Sequence, residues 1–223
     1  MRRQVITIDG PAGAGKSTIA RRLARDLGFE FLDTGAMYRA VTWKVLEEGV
    51  DPEDLEGVTR VAREIAIDWD AEGALRVGGR VVGDDIRTAA VTAAVSAVSA
   101  IPAVRAAMVP RQRERAEHRD LVVEGRDTGS VVFPDAPVRF YLDASSVERA
   151  RRRAEELRAG GQKVDEDDLR RLIEARDHAD STRADSPLRR LDGMTYVDTT
   201  GRDFDQVLEI LRGKVLDSLE RPN

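Results

Sequence analysis

The sequence predicts an α/β protein, a P-loop parallel sheet flanked by helices. Three observations predict it. Short β-branched runs alternate with helical periodicity through the first quarter of the chain. A glycine-rich turn joins the first such run to the first helix, and the strand-then-helix pattern returns after residue 120. Between them the pattern changes: residues 65–86 read as a small inserted antiparallel sheet, and residues 88–117 as helix.

The elements follow in order. Gln4 to Asp9 reads as a buried strand carrying Val5, Ile6 and Ile8. A helix over Lys16 to Leu27 stops at Gly28. Phe29 to Leu32 is a second strand, closed by Asp33-Thr34-Gly35, and a helix from about Ala36 to Glu48 stops at Gly49. The insertion opens with three short strands, Ile67 to Trp69, Ala74 to Val77 and Arg80 to Val82, with Gly78-Gly79 as a hairpin turn. Thr88 to Glu117 is helical and broken at Pro102, a residue suited to the first turn of a new helix. Leu121 to Val123 and Val138 to Leu142 are strands again. Ser145 and Glu148 form a capping box that opens an arginine-rich helix ending near Gly160-Gly161. The charged segment from Asp165 to Arg183 has Leu169, Leu172 and Ile173 as its only apolar stripe, which suits either a mobile lid or a plain surface helix. Thr195 to Val197 is the last strand, and Asp203 caps a final helix that runs to about Glu220.

Composition narrows the class. A chain of 223 residues with 41% hydrophobic content supports one compact domain with an insertion or a flap. No apolar run approaches the roughly 20 residues of a membrane helix. The apolar stretch after Met1-Arg2-Arg3-Gln4 is interrupted at Asp9, too short for a signal peptide, so the expected location is the cytoplasm and no membrane partner is expected. Cysteine is absent, which removes disulfides, thiolate metal sites and a cysteine nucleophile. A net charge of -5 argues against gripping nucleic acid. Lys16, Lys44, Lys163 and Lys214 are the only lysines, so nearly all positive charge is arginine, the better residue for bidentate phosphate contacts.

Gly10-Pro11-Ala12-Gly13-Ala14-Gly15-Lys16-Ser17 matches G-x-x-x-x-G-K-[ST], followed by Thr18. Glycines let backbone N–H groups turn inward around a phosphate, the helix N-terminus adds partial positive charge, and Lys16 adds a full one. The Ser17 hydroxyl can sit on Mg²⁺. The loop specifies a nucleoside triphosphate but no reaction. A GTPase usually reads guanine with N-K-x-D, and the only Asn is Asn223. A motor would usually end a hydrophobic strand in Asp-Glu, whereas the later strands run into Glu124-Gly125 and Leu142-Asp143.

Three further clusters follow strands or line a helix. Asp33 to Arg39 (D-T-G-A-M-Y-R) sits where open α/β sheets bind ligands, and reads either as a second phosphate site or as a helix cap with a surface Arg. Glu124 to Gly129 (E-G-R-D-T-G) places opposite charges in a glycine-rich loop, which suggests polar recognition. Arg176, Asp180 and Arg183, spaced by four and seven, fall on one helical face, either as a salt-bridged surface or as a clamp that closes with a lid.

In order and spacing, these segments resemble bacterial cytidylate kinases from end to end: Ile8 to Thr18, Asp33 to Arg39, Ile86 to Thr88, Gly125 to Ala136, Arg176 to Arg183 and Asp198 to Thr200. The resemblance implies a single cytidylate kinase domain over 1–223. Its core is about 1–36, 118–148 and 186–223, its inserted monophosphate-binding region about 37–117, and its short helical lid about 149–185. It implies transfer of the γ-phosphoryl group of ATP to CMP or dCMP, with Mg²⁺ and ATP as donor; the alternative is a kinase of another small acceptor such as UMP. By the same resemblance, Gly10 to Thr18 hold ATP with Ser17 on the metal, and Lys16, Arg126 and Arg183 carry catalysis. Arg39, Arg126 and Arg183 grip the CMP phosphate; Ser96, Arg105 and Asp127 read cytosine; Tyr38, Arg176 and Asp180 line the sugar; and Thr34 belongs to the substrate set. One of Arg151, Arg152 and Arg153 reaches the triphosphate, and the protein is expected to act as a monomer.

Overall fold

The protein is described by a computed structural model over residues 3–219. In chain order the elements are β1 (Val5–Asp9), α1 (Lys16–Leu27), β2 (Glu30–Asp33), α2 (Thr34–Glu47), α3 (Leu55–Glu64), β3 (Ile67–Trp69), β4 (Leu75–Val77), β5 (Arg80–Val81), α4 (Ala89–Ala100), α5 (Pro102–His118), β6 (Leu121–Gly125), β7 (Val138–Asp143), α6 (Ser146–Ala159), α7 (Glu166–Thr182), β8 (Thr195–Asp198) and α8 (Phe204–Leu219). A 3₁₀ turn covers Asp85–Arg87 and a single π turn covers Thr128–Val132. The chain packs as two compact units, residues 1–32 with 119–223, and residues 33–118.

The first unit holds a five-stranded sheet in the order β2-β6-β1-β7-β8. β1 pairs in parallel with both β6 and β7, and β7 with β8. Every residue of β1 and β6 is buried, the continuous burial that helix-covered parallel strands require, whereas β7 alternates. The core joins Ile6, Ile8, Phe140 and Leu142 of the strands to Leu23 of α1 and Leu208, Leu211 and Val215 of α8. Register places Asp9 opposite Gly125 on one side and Tyr141 on the other. Because the strands run the same way, the turns that leave β1, β6 and β7 emerge at one end of the sheet, where ligands of such sheets lie.

The second unit packs α2 on α3 and α4, and α3 on α5, beside the antiparallel sheet β3-β4-β5. Gly78 and Gly79 both have positive φ, 57° and 83°, as the tight hairpin between β4 and β5 demands. α4 and α5 meet at 93° across Ile101, with Pro102 opening the second helix. Among the described residues, no single helix is long and apolar enough to cross a membrane.

The structure departs from the sequence-based expectations in identifiable places. Gln4 lies before β1 and instead donates its N–H to Asp120 Oδ1 at 2.8 Å. α2 starts two residues earlier than expected, at Thr34, with the Asp33 carboxylate accepting from Ala36 N at 2.8 Å. α3 was not expected, although Asp54 caps it and Val58, Val61, Ala62 and Ile65 carry the helical spacing of its buried face. The Ser145 capping box is half made: Ser145 Oγ accepts from Glu148 N, while the Glu148 carboxylate turns to Arg151 and Arg152. A complete box appears at α8 instead, where Asp203 and Gln206 bond each other's N–H. Leu172 leaves the supposed apolar stripe of α7, being 67% exposed, and Ile173 alone is buried there beside a half-buried Leu169. The expected end of α8 at Glu220 lies outside the described residues.

Leu211→Ala should cost about 2–5 kcal/mol, because it empties a fully buried position between α8 and the sheet. Leu216→Ala on the same helix, 49% exposed, should stay within about 0.5 kcal/mol. Chemical denaturation of the two variants checks the pair.

Candidate active site

The phosphate loop leaves β1 at Gly10, whose φ of 148° brings the backbone so close to β7 that a Cβ there would overlap the Leu142 carbonyl oxygen. α1 begins behind Gly15 in a left-handed conformation with no side-chain cap among the described residues, so its first N–H groups face the loop. Lys16 is buried and donates from Nζ to the Pro11 carbonyl at 2.8 Å, curling back across its own loop. Burial, reinforced by the Arg126 guanidinium and by Arg176, pushes its ammonium down to about 7, against the opposing pull of Glu124 and Asp9.

Ser17 donates from Oγ to Glu124 Oε1 at 2.6 Å. A hydroxyl and a carboxylate brought together beside the phosphate loop are hard oxygen donors, and Mg²⁺ held mainly by substrate phosphates and water needs no more than one or two such groups. The residues present therefore fit Mg²⁺. Glu124 was not among the sequence-predicted site residues; its signal was its place at the end of a buried strand.

The loop after β6 carries Arg126 and Asp127. Arg126 Nε donates to Asp180 Oδ2 of α7 at 2.9 Å, and Arg183 Nη2 donates to Asp127 Oδ1 at 3.5 Å. Asp127, Asp180 and the Arg183 side chain are buried. Arg183 was expected on one face of α7 with Arg176 and Asp180. It lies instead just past the end of the helix, as its extended cap residue, and its Nε donates to the Ser186 carbonyl at 2.6 Å. Ser186 has φ 51°, a strained conformation for a residue with a Cβ, and this turn aims its carbonyl at Arg183. Arg176 is half-buried and close enough to Lys16 to help depress its charge.

Of the three candidate arginines on α6, Arg152 is the one at the loop. It donates to Thr199 Oγ1 and to the Thr199 carbonyl at 3.0 and 2.7 Å, with Nη1 within 4 Å of where a Gly15 Cβ would lie. Arg151 and Arg153 are exposed and pair with Glu148, Glu155 and Glu156 of their own helix. Sequence reasoning missed Arg149. It is buried, donates to the Ala144 and Ala12 carbonyls at 2.8 and 3.1 Å, and pairs with Asp177 of α7 at 2.6 Å, bracing the phosphate loop from behind. Burial pushes the Asp177 carboxyl up, and the Arg149 guanidinium opposes that.

The second unit carries the remaining predicted residues. Thr34 is buried at the start of α2. Arg39 Nη1 donates to Thr92 Oγ1 at 2.9 Å and to the Ile86 carbonyl at 3.3 Å. Arg105, buried on α5, lies over the Tyr38 ring with its guanidinium carbon 5.3 Å from the centroid, and donates to the Ser99 carbonyl at 3.5 Å. Ser96 is half-buried on α4, and its carbonyl accepts from Ser99 Oγ at 3.2 Å.

A parallel sheet with a complete phosphate loop, and arginine–aspartate pairs beside it, defines a P-loop nucleotide-binding protein. The family model described as cytidylate kinase matches residues 6–216. A cytidylate kinase of Caldanaerobacter subterraneus subsp. tengcongensis is 48% identical over 92% of this chain and 91% of its own. A cytidylate kinase of Mycolicibacterium paratuberculosis is 48% identical over 95% and 94%. A solved structure of an uncharacterized protein from Eubacterium ventriosum has the same fold at TM-score 0.56, with 14% identity over 96% of this chain and 99% of that one. The chain belongs to the cytidylate kinase family.

If Lys16 meets the nucleotide phosphates, its lowered pKa should make binding pH-dependent. With its ammonium lowered from 10.5 to about 7, a substantial share of the Lys16 side chain should be neutral in the free protein at pH 8. A triphosphate beside it restores the proton, so binding at pH 8 should take up roughly one proton per nucleotide, falling away toward pH 6. Calorimetry of ATP binding in buffers of different ionisation enthalpy reads this directly. Lys16→Arg, charged throughout that range, should abolish the uptake.

Proposed function

We propose that the protein transfers the γ-phosphoryl group of ATP to CMP or dCMP, giving ADP and CDP or dCDP. The observation that carries this reading is a family member that keeps, at neighbouring strand ends, both an intact phosphate loop and the Arg126-Asp127 loop. Gly10 to Thr18 hold the ATP phosphates, with the Lys16 ammonium on the transferring group. Arg126 and Arg183 hold the CMP phosphate together with Arg39. Asp127, with Ser96 and Arg105, reads the base: the carboxylate accepts from the exocyclic amine of cytosine, which uracil lacks. Tyr38, Arg176 and Asp180 line the sugar, and Thr34 completes the substrate set. Residues 37–117 serve as the monophosphate-binding region, 149–185 as the lid, and the remainder as the core.

The chemistry asks little of acid–base catalysis. The CMP phosphate has a second pKa near 6 and is mostly dianionic at pH 7. An oxygen of that dianion forms the new bond to the γ-phosphorus while the bond to the β-phosphate oxygen breaks, and ADP leaves with the electron pair. No proton need be removed from the nucleophile. The obstacle is repulsion between two anions, so Lys16, Arg126 and Arg183 act by position and charge. Ser17 and Glu124 would hold Mg²⁺, which supplies further neutralisation on the ATP phosphates. Asp180 and Asp127 keep Arg126 and Arg183 in place before the substrate arrives. We further propose a monomer acting in the cytoplasm without nucleic-acid or membrane partners; the net charge of -5 supports the first of those exclusions.

A coupled ADP-release assay with Mg-ATP and CMP, dCMP, UMP, AMP or GMP tests the activity. Turnover with CMP and dCMP is the expected result; equal ADP release without any acceptor would make the protein an ATPase. Asp127→Ala should lower the CMP-to-UMP preference in kcat/KM by about tenfold or more, the size of one lost charge-assisted hydrogen bond, with the KM for ATP little changed.

A further inference from the structure

The π turn over Thr128–Val132 begins immediately after Asp127. An aspartate in that position is the residue best placed to cap the turn with its own carboxylate. Asp127 does not do so: its side chain makes no capping bond, and its Oδ1 receives Arg183 instead. The capping is done from 119 residues away. Asp9 Oδ1 accepts from Thr128 N at 2.8 Å and from Thr128 Oγ1 at 2.7 Å, and Asp9 Oδ2 accepts from Gly129 N at 2.7 Å. Those two N–H groups are the first donors a turn leaves without partners.

Asp9 is fully buried at the last position of β1, where an apolar residue would serve the sheet as well. A buried carboxylate is costly, and burial pushes this one up against the three hydrogen bonds that hold it ionised. The fit around it is close. A Cβ on Gly129 would lie 2.5 Å from Thr7 Oγ1 and 3.0 Å from the Met194 methyl, so the turn is seated directly against β1.

We infer that Asp9 is the positioning residue for acceptor recognition: by capping the turn after Asp127 it releases the Asp127 carboxylate to read the acceptor base. Gly10, the next residue, opens the phosphate loop, so one strand end sets both the donor loop and the acceptor-reading carboxylate. Without Asp9, the Gly129 N–H would need another acceptor, and the Asp127 carboxylate, at the N-cap position, is the side chain placed to turn inward and supply one.

The inference rests on the assignment of Asp127 as the base reader, and the two are separated by one set of variants. Purified Asp9→Asn, Thr128→Val, Asp127→Ala and the Asp9→Asn/Asp127→Ala double variant are compared by kcat/KM for CMP and for UMP at saturating ATP. Thr128→Val removes one of the three bonds and keeps the volume, so it remains informative if Asp9→Asn folds poorly. Asp9→Asn should lower the CMP-to-UMP preference by roughly tenfold, chiefly through the KM for CMP, and Thr128→Val by less. The double variant should discriminate no worse than Asp127→Ala alone, as residues acting through one group do. If Asp127→Ala alters the preference and neither Asp9→Asn nor Thr128→Val does, Asp9 is structural only and the inference is overturned. If the double variant discriminates much worse than Asp127→Ala, Asp9 acts by another route and the inference equally fails. If Asp127→Ala itself leaves the preference intact, the base-reading assignment is what fails.

Discussion

Burying the charge of Lys16 is the constraint on which the first unit depends. The ammonium lies in a nearly water-free position with Arg126 and Arg176 close enough to repel it. Cations concentrated in this way are what a site for polyphosphate needs, and what a free protein tolerates least. The surrounding sequence answers with carboxylates rather than with solvent. Glu124 and Asp9 pull the lysine's proton affinity back up, Asp180 takes Arg126, Asp127 takes Arg183, and Asp177 takes Arg149. Each positive group is thereby held in a fixed direction before any anion arrives. Preorganisation of this kind is where electrostatic catalysis draws most of its advantage, since little reorientation remains to be done during the reaction.

The sheet makes this arrangement possible. Parallel pairing of β1 with β6 and β7 delivers the phosphate loop, Glu124 and the Arg126-Asp127 loop to the same end, although more than a hundred residues separate them in the chain. Strands buried at every position would keep their burial after a slip of one residue, so polar contacts must hold the register; such a slip would move Asp9 off Thr128 and Ser17 off Glu124 together. α6 and α7 then add the second ring of contacts. Arg149 and Arg152 reach from α6 to the phosphate loop and to Thr199, and Asp177 and Asp180 reach from α7 to arginines on either side.

What the sequence made legible were features with a local cause. Gly10 to Ser17 can be read because each residue serves a nearby backbone or phosphate, and the hairpin at Gly78-Gly79 because two positive φ angles in a row need glycine. α3 has an equally local cause, an Asp54 cap and four apolar residues at helical spacing. Arg183 misled by arithmetic: a spacing of seven suggests a helical face, but α7 ends one residue before it. Asp9, Glu124 and Arg149 belong to a different kind. Their partners include groups 119, 107 and 137 residues away; Glu124 shows in the sequence only as one charge of a glycine-rich loop after a strand, and nothing near Asp9 or Arg149 distinguishes a charge that organises the site from an interruption in a strand or one more arginine in a rich helix.

The same long-range pairing changes what substrate binding has to accomplish. If Arg126 and Arg183 were solvated, an arriving phosphate would have to strip water from both and order two long side chains, each at appreciable entropic cost. Here the desolvation has already been met within the fold, by carboxylates that are themselves buried. One guanidinium carries five N–H groups and a single carboxylate satisfies at most two, so under the proposed function a phosphate dianion can be engaged by the same cations that the carboxylates hold in place. Arginine rather than lysine is what permits this double engagement, which gives a physical reason for arginine, and not the ammonium of lysine, at every one of these pairs. Lys16 is the exception because its geometry differs: a compact group within the curl of the loop, held at the Pro11 carbonyl at 2.8 Å.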